Sequence, residues 1–468
     1  MLIRGAELEG GRLADLRIEN GRVVAIGQLS PAAGEASIDA SGGLLLPGLH
    51  DHHIHVAALA AAAASVQCGP PHVTSLDALT AALTEASRRS DTGWLRGIGY
   101  HQSVAGMLDA GMLDTIAADR PIRIQHRGGR MWFLNSMALD LLLAGRSAPQ
   151  GLERVDGRFT GRLFEGDVWL KTALAGRPPS FATIGTMLAA RGVTGLTEIS
   201  PANDSVIARH FAAERANGNL PQTVMLAGRS ALCRDDMADG MTLGPVKLHL
   251  HEAALPAFDD IVHSIREAHD RGRTVAVHCV TEVELVFTLA AIDEAGAMRG
   301  DRIEHASIAP DTAVTEIVRL GLAVVSQPHF IAERGDAYRD SVAPEEQLLL
   351  YRLRALLDAG VTLAGGSDAP FGGADPWMSM AAAVSRQTHS GTTIGAGEAL
   401  TPEQALDLYL AAPDDLRRRR HVEIGAPADL CLLDRRWARA RDDLASVGVQ
   451  ATWIDGRRVH DRIDQPPA

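Results

Sequence analysis

Apolar residues recur along the second half of this chain in a repeating order. A stretch with helical spacing halts at a glycine, and a short continuous apolar run follows. Pro256–Arg271 reads as a helix stopped by Gly272, then the strand TVAVHC at 274–279. Glu282–Ala295 carries Val283, Val286, Phe287, Ala290 and Ala291 at helical spacing, stops at Gly296, and leads to RIEHA at 302–306. Asp311–Arg319 with its stop at Gly321 precedes LAVVSQP at 322–328, and Glu345–Ala359 with Gly360 precedes VTLAGGSDAP at 361–370. Helices alternating with short apolar strands predict a parallel sheet covered by helices, and an α/β barrel is its natural closure.

The two ends differ in texture. Residues 1–49 read as short strands, with a hairpin turn at Asn20-Gly21, and residues 428–434 and 449–461 are again strand-like, the latter broken by Asp455-Gly456. A small composite β-sandwich built from 1–49 and 421–468 is the expectation, with the barrel in 50–420. Within about 60–190 the pattern is mixed and reads partly as barrel, partly as insertion, with a helix at Leu76–Arg88. The run Arg417–Arg420 reads as a solvated helix end.

Composition narrows the function. Of 468 residues, 45 are Lys or Arg against 58 Asp or Glu, a net charge of −13 that argues against nucleic acid as a partner. Cys68, Cys233, Cys279 and Cys431 are scattered in no disulfide or zinc-finger spacing. The longest apolar stretch, Val56–Ala64, is mostly alanine and too short to span a bilayer, and the first residues lack the apolar core of a signal peptide. A reduced, cytoplasmic protein acting on a small molecule is expected, with no membrane partner; a homodimer stays open.

In a barrel of this kind the chemistry gathers at the C-terminal ends of the strands. Five apolar runs end in polar residues that suit a divalent metal. LLLPGLHDHHIH ends in His53 and His55, whose period-two spacing puts both imidazoles on one side; His50 and His52 have the wrong facing. GPVKLHLHE carries Lys247 inside an apolar strand, with His249 and His251 on its face. TVAVHC ends in His278, RIEHA in His305, and TLAGGSD in Asp368. A buried ammonium needs a reason to be there. His329 lies just past a strand end and is a candidate pocket residue. P-loop, dinucleotide-binding and serine-hydrolase motifs are missing from the sequence.

The ordered set PGLHDHHIH, VKLHLHE, VAVHC, RIEHAS and GGSDAP resembles the amidohydrolase superfamily, and most its YtcJ-like branch, amidohydrolase family 3. That resemblance implies a TIM (β/α)8 barrel and metal-dependent hydrolysis of a C–N bond in an amide, urea, carbamate or formamide. His53, His55, Lys247, His278, His305 and Asp368 would match the family's ligands for one or two divalent ions, most simply zinc, with Lys247 carboxylated by CO2. Asp368 would also move a proton for a metal-activated hydroxide. The chain departs from the branch at His278-Cys279-Val280-Thr281-Glu282 and at Gly129-Arg130-Met131-Trp132. Arg127 and Arg130, with His126, are therefore expected to recognise an anionic or strongly polar group of the substrate, and His249 and His329 are further expected substrate-binding residues. The alternative is a mononuclear deaminase of an aminated heterocycle, which would use a glutamate where this chain has Thr281. A barrel kept only as an assembly scaffold would be expected to lose ligands, and all six positions are filled.

Overall fold

The computed structural model describes residues 1–70, 72–89, 93–174 and 179–462. The apolar runs become one eight-stranded parallel sheet: β1 (Leu49–Ile54), β2 (Val193–Glu198), β3 (Thr223–Gly228), β4 (Met241–His249), β5 (Val275–Cys279), β6 (Arg302–His305), β7 (Ala323–Ser326) and β8 (Thr362–Gly365). Each strand pairs in parallel with the next in that order. Every residue of β1, β2, β6 and β7 is buried, as a parallel sheet covered on both faces requires. Past the end of β8 the chain bonds back onto β1. Asp368 N–H donates to His53 O at 2.7 Å and His55 N–H to Ala369 O at 2.9 Å, which brings the sheet round into a TIM barrel.

Local signals explain the helices that cover it. Glu282–Ala295 starts at a capping box, in which Thr281 Oγ1 accepts from Glu284 N–H and Glu284 reaches back to the cap, and it stops at Gly296 with φ 87°. Asp311–Leu320 ends at Gly321 in the left-handed region. The predicted helix Glu345–Ala359 is instead two short pieces, Pro344–Gln347 and Leu353–Asp358. Between them the carbonyls of Leu350 and Tyr351 turn to accept from the buried Arg386 guanidinium, and Tyr351 sits at φ 48°. Arg417–Arg420 is no helix end either. Asp415–Arg419 is a strand paired with Ala411–Ala412, and the Arg420 guanidinium turns inward onto the carbonyls of Tyr409 and Ala411.

The termini build two four-stranded sheets. Leu2–Glu7, Leu13–Glu19, Arg22–Gly27 and Ser37–Asp39 form one, while Leu45–Pro47 joins Leu430–Leu433, Val449–Ile454 and Arg457–Asp461 in the other. Ile3, Leu16, Ile18 and Val23 pack with Leu45, Leu430, Leu432 and Trp453 in one core, so neither end of the chain can bury its apolar face alone. Both hairpins turn as the sequence indicates, through Asn20-Gly21 (φ 49° and 73°) and Asp455-Gly456 (φ 49° and 71°).

Ala57–Pro179 is a compact unit of its own. Its six-stranded sheet runs in the order Leu152–Val155, Arg158–Phe164, Met131–Leu134, Ile122–His126, Leu95–Tyr100, Val66–Gln67. Among the described residues none of this segment enters the barrel sheet, because its apolar strands pair with one another. Among the described residues, no helix is long and apolar enough to cross a membrane.

Candidate metal centre

The C-terminal ends of β1, β4, β5, β6 and β8 bring a set of nitrogen and oxygen donors together. His53 Nε2 lies 3.4 Å and His55 Nε2 3.1 Å from the same atom, Asp368 Oδ1. These three groups offer ligand atoms within 4.8 Å of one another, a spacing that a single cation could bridge. The His305 ring stands 4.8 Å from His53 and 4.5 Å from His278, and His305 Nε2 meets His278 Nδ1 at 2.9 Å. His249 lies over His278 at 4.3 Å, as their neighbouring positions on β4 and β5 dictate.

Outer partners orient these rings. Glu304 accepts from His53 Nδ1–H at 2.5 Å, Gln327 Oε1 lies 2.7 Å from His305 Nδ1, and Ser200 Oγ lies 2.8 Å from His55 Nδ1. These contacts turn the Nε2 sides of His53 and His55 toward Asp368 and that of His305 toward His278, the sides from which the rings would reach a metal. Glu304 is wholly buried, and its other oxygen takes the Arg302 guanidinium at 2.7 Å. Asp51 Oδ1 accepts from both His53 N–H and Ser367 N–H, fastening the ends of β1 and β8. Gly366 lies against β1 so closely that a Cβ there would sit 2.4 Å from His53 Cβ. His305 and Asp368 hold left-handed backbone at φ 71° and 52°, strain of the kind that over-determined functional positions carry.

The electrostatics suit neutral imidazoles at His278 and His305 and ionised carboxylates, while at His53 burial is overcome by Glu304 and Asp368, which raise its imidazole. Burial pushes the His278 imidazole down to about 2 and His305 to about 3, so both are neutral donors. Burial alone would raise the Asp368 carboxyl, but the hydrogen bonds of His53 and His55 and the charge of His53 outweigh it and hold it far below the carboxylate range. Glu304 is likewise held low, burial being overcome by Arg302, Lys247 and His53. Burial brings the Lys247 ammonium down to about 8, against the pull of Glu304. Lys247 is 5% exposed and its Nζ has no hydrogen-bond partner among the described residues. An orphaned buried amine among imidazoles and carboxylates fits a metal centre that it would help to hold.

The other expected residues have contacts of their own. His249 lies beside His278. His329 is 2% exposed with both ring nitrogens engaged, on Ser379 Oγ and Ser367 O at 3.0 Å each. His251 only caps the turn at Glu252–Ala254. Arg127 and Arg130 are exposed on the Ala57–Pro179 unit, where the Arg130 guanidinium pairs with Glu165. The Glu284 carboxylate accepts from the N–H groups of Val280, Thr281 and Glu252, so it fastens a helix start. Glu304, Asp51, Ser200 and Gln327 went unread in the sequence, because attention to the last residue of each apolar run passes over its neighbours.

The chain belongs to the amidohydrolase family, whose sequence profile matches residues 36–460. It falls in the YtcJ-like branch, amidohydrolase family 3. It is 26% identical to the N-substituted formamide deformylase of Arthrobacter pascens, over 95% of this chain and 94% of the relative. It is 24% identical to YtcJ of Bacillus subtilis (strain 168), over 97% of each chain. A crystal structure of an uncharacterized metal-dependent hydrolase from Pyrococcus furiosus superposes with a TM-score of 0.74 at 23% identity, over 93% of this chain and 98% of that one. The protein is therefore a hydrolase acting on carbon–nitrogen bonds.

Proposed function

We propose that this protein hydrolyses the C–N bond of a small amide-class molecule, with N-substituted formamides the first substrates to test. The observation that carries the reading is the buried Lys247 Nζ, without a hydrogen-bond partner among the described residues and within the field of Glu304 and Asp368, beside the His53–His55–Asp368 donor group. The choice of formamide rests on the similarity to the deformylase along nearly the whole chain.

In this reading His53, His55, Lys247, His278, His305 and Asp368 hold one or two divalent ions, zinc first among them. When bound, the metal supplies Lewis acidity toward the substrate carbonyl and makes water nucleophilic at neutral pH. Lys247 joins as a carbamate formed with CO2. Supporting this, its amine is brought down to about 8 by burial, so a useful fraction is unprotonated near neutral pH. Asp368, held ionised beside His53 and His55, accepts a proton on a carboxylate oxygen and returns it to the leaving nitrogen. His249, exposed and stacked on His278, contacts the substrate. The deaminase alternative lacks support, since Glu284 is spent on backbone N–H groups and Thr281 stands where the glutamate would be.

The test is a panel of N-substituted formamides, acetamides, carbamates and ureas, assayed for released amine with metal-loaded and chelator-treated protein. Formamide turnover that disappears on chelation and returns with zinc is expected. Turnover of aminated heterocycles with ammonia release, and none of the panel, would replace this reading with the deaminase.

A further inference from the structure

At the opposite end of the barrel from the histidines, the sheet opens into a cavity of about 1110 Å³. It is reached past the first residues of the strands, among them Thr274 just before β5 and Arg302, Ala323 and Thr362 at the starts of β6, β7 and β8. Barrel interiors are ordinarily filled by layers of bulky side chains. Here Thr274, Ala323 and Thr362 are small, and room is left beside Arg302.

The lining carries six arginines against two aspartates, in a chain whose net charge is −13. The two aspartates are already taken, Asp415 by Arg299 and Asp414 by Arg418, at 2.7 Å each. Arg273 is 6% exposed and donates only to carbonyls, those of Arg229, Ser230, Leu232, Gly244 and Pro245. Among the described residues no carboxylate pairs with it, so its charge is buried without a counter-charge. Arg302, 3% exposed, spends two N–H bonds, on Glu304 Oε1 at 2.7 Å and His52 O at 3.3 Å. The other N–H groups of its fork have no partner among the described residues, and the residue lines the cavity. Arg271 and Arg417 stand exposed at the rim, Arg271 paired with Glu267 at 2.6 Å and Arg417 donating to Gly321 O at 2.9 Å, each with further N–H groups of its fork to offer. Arg273 is a desolvated cation without counter-charge, which is costly, and an anion in the cavity beside it offsets that cost. Guanidinium forks match the paired oxygens of phosphate and carboxylate groups.

We propose that this cavity is a binding site for a small, multiply charged oxyanion of the phosphate or polycarboxylate class, separate from the metal centre. The anion bonds to Arg302 at the inner end and to Arg271 and Arg417 at the rim, with Arg273 supplying field.

Calorimetric titration with inorganic phosphate, and separately with succinate, tests the site and distinguishes the two sources. Saturable binding of at least one, weakening as NaCl rises, is expected. Arg271→Glu/Arg417→Glu should weaken it about tenfold or more while melting like the wild type. Asp368→Asn, at the other end of the barrel, should bind as the wild type does. The proposal is overturned by no saturable binding of either anion. It is equally overturned by binding that survives the rim substitutions, or that is lost in Asp368→Asn, which would put the anion at the metal centre.

Discussion

Glu304→Gln isolates the contribution of an outer partner to the metal centre. The carboxylate accepts from His53 Nδ1–H at 2.5 Å on one oxygen and from Arg302 at 2.7 Å on the other, fully buried. Gln keeps the shape and one acceptor but removes the charge. A hydrogen bond to a charged group contributes about 1.4 kcal/mol more than a neutral one, so the metal affinity should fall about tenfold. Glu304→Ala removes the acceptor as well and should approach about 100-fold. Both changes leave Arg302 buried and unpaired, so the fold should also lose about 3 kcal/mol. Arg302→Met/Glu304→Gln removes that second effect, and should melt near the wild type while keeping the tenfold metal deficit. Metal affinity by competition with a chromophoric chelator, with thermal unfolding of the metal-free proteins, separates the two quantities. Wild-type metal affinity in Glu304→Gln, or a deficit that vanishes when Arg302→Met restores the melting temperature, would refute the orienting role.

Three further outcomes are expected. Lys247→Met should raise the stability of the metal-free protein by about 1 kcal/mol or more, because it removes a buried amine with no partner among the described residues; in bicarbonate the wild type should gain the mass of one CO2 and the variant should not, and the variant should lose metal capacity. Gly366→Ala drives a Cβ to within 2.4 Å of His53 Cβ and should lower kcat/KM about 100-fold through misplacement of that ring. Glu214 accepts from Phe181 N–H, Asn219 and Ser180, which outweigh burial and lower its pKa. A carboxyl lowered in the folded state adds stability above its unfolded value of about 4, and loses it as pH falls below that; urea melts of wild type and Glu214→Gln should therefore differ at pH 7 and converge on acidification.

Helices that carry their own punctuation were legible in the sequence. Glu282–Ala295 is bounded by a capping box and a glycine, and its ends match the reading residue for residue. Glu345–Ala359 failed because its interruption is caused by Arg386, a buried cation whose need for carbonyls is invisible locally. Arg417–Arg420 failed for a similar reason, since one of its guanidinium groups turns inward. At the metal centre, spacing alone aligned His53 with His55, and both indeed meet one oxygen of Asp368. Glu304 stayed hidden because its meaning depends on His53, 251 positions away. Lys247 was legible as an anomaly, a charge in an apolar strand, before any partner was known.

The most direct test is a crystal structure of the metal-loaded protein with data collected at the metal absorption edge. The account predicts an anomalous peak in bonding reach of His53 Nε2, His55 Nε2 and Asp368 Oδ1, with density for a carboxylate on Lys247 Nζ. Metal bound elsewhere, with these three side chains unligated and Lys247 unmodified, would contradict it.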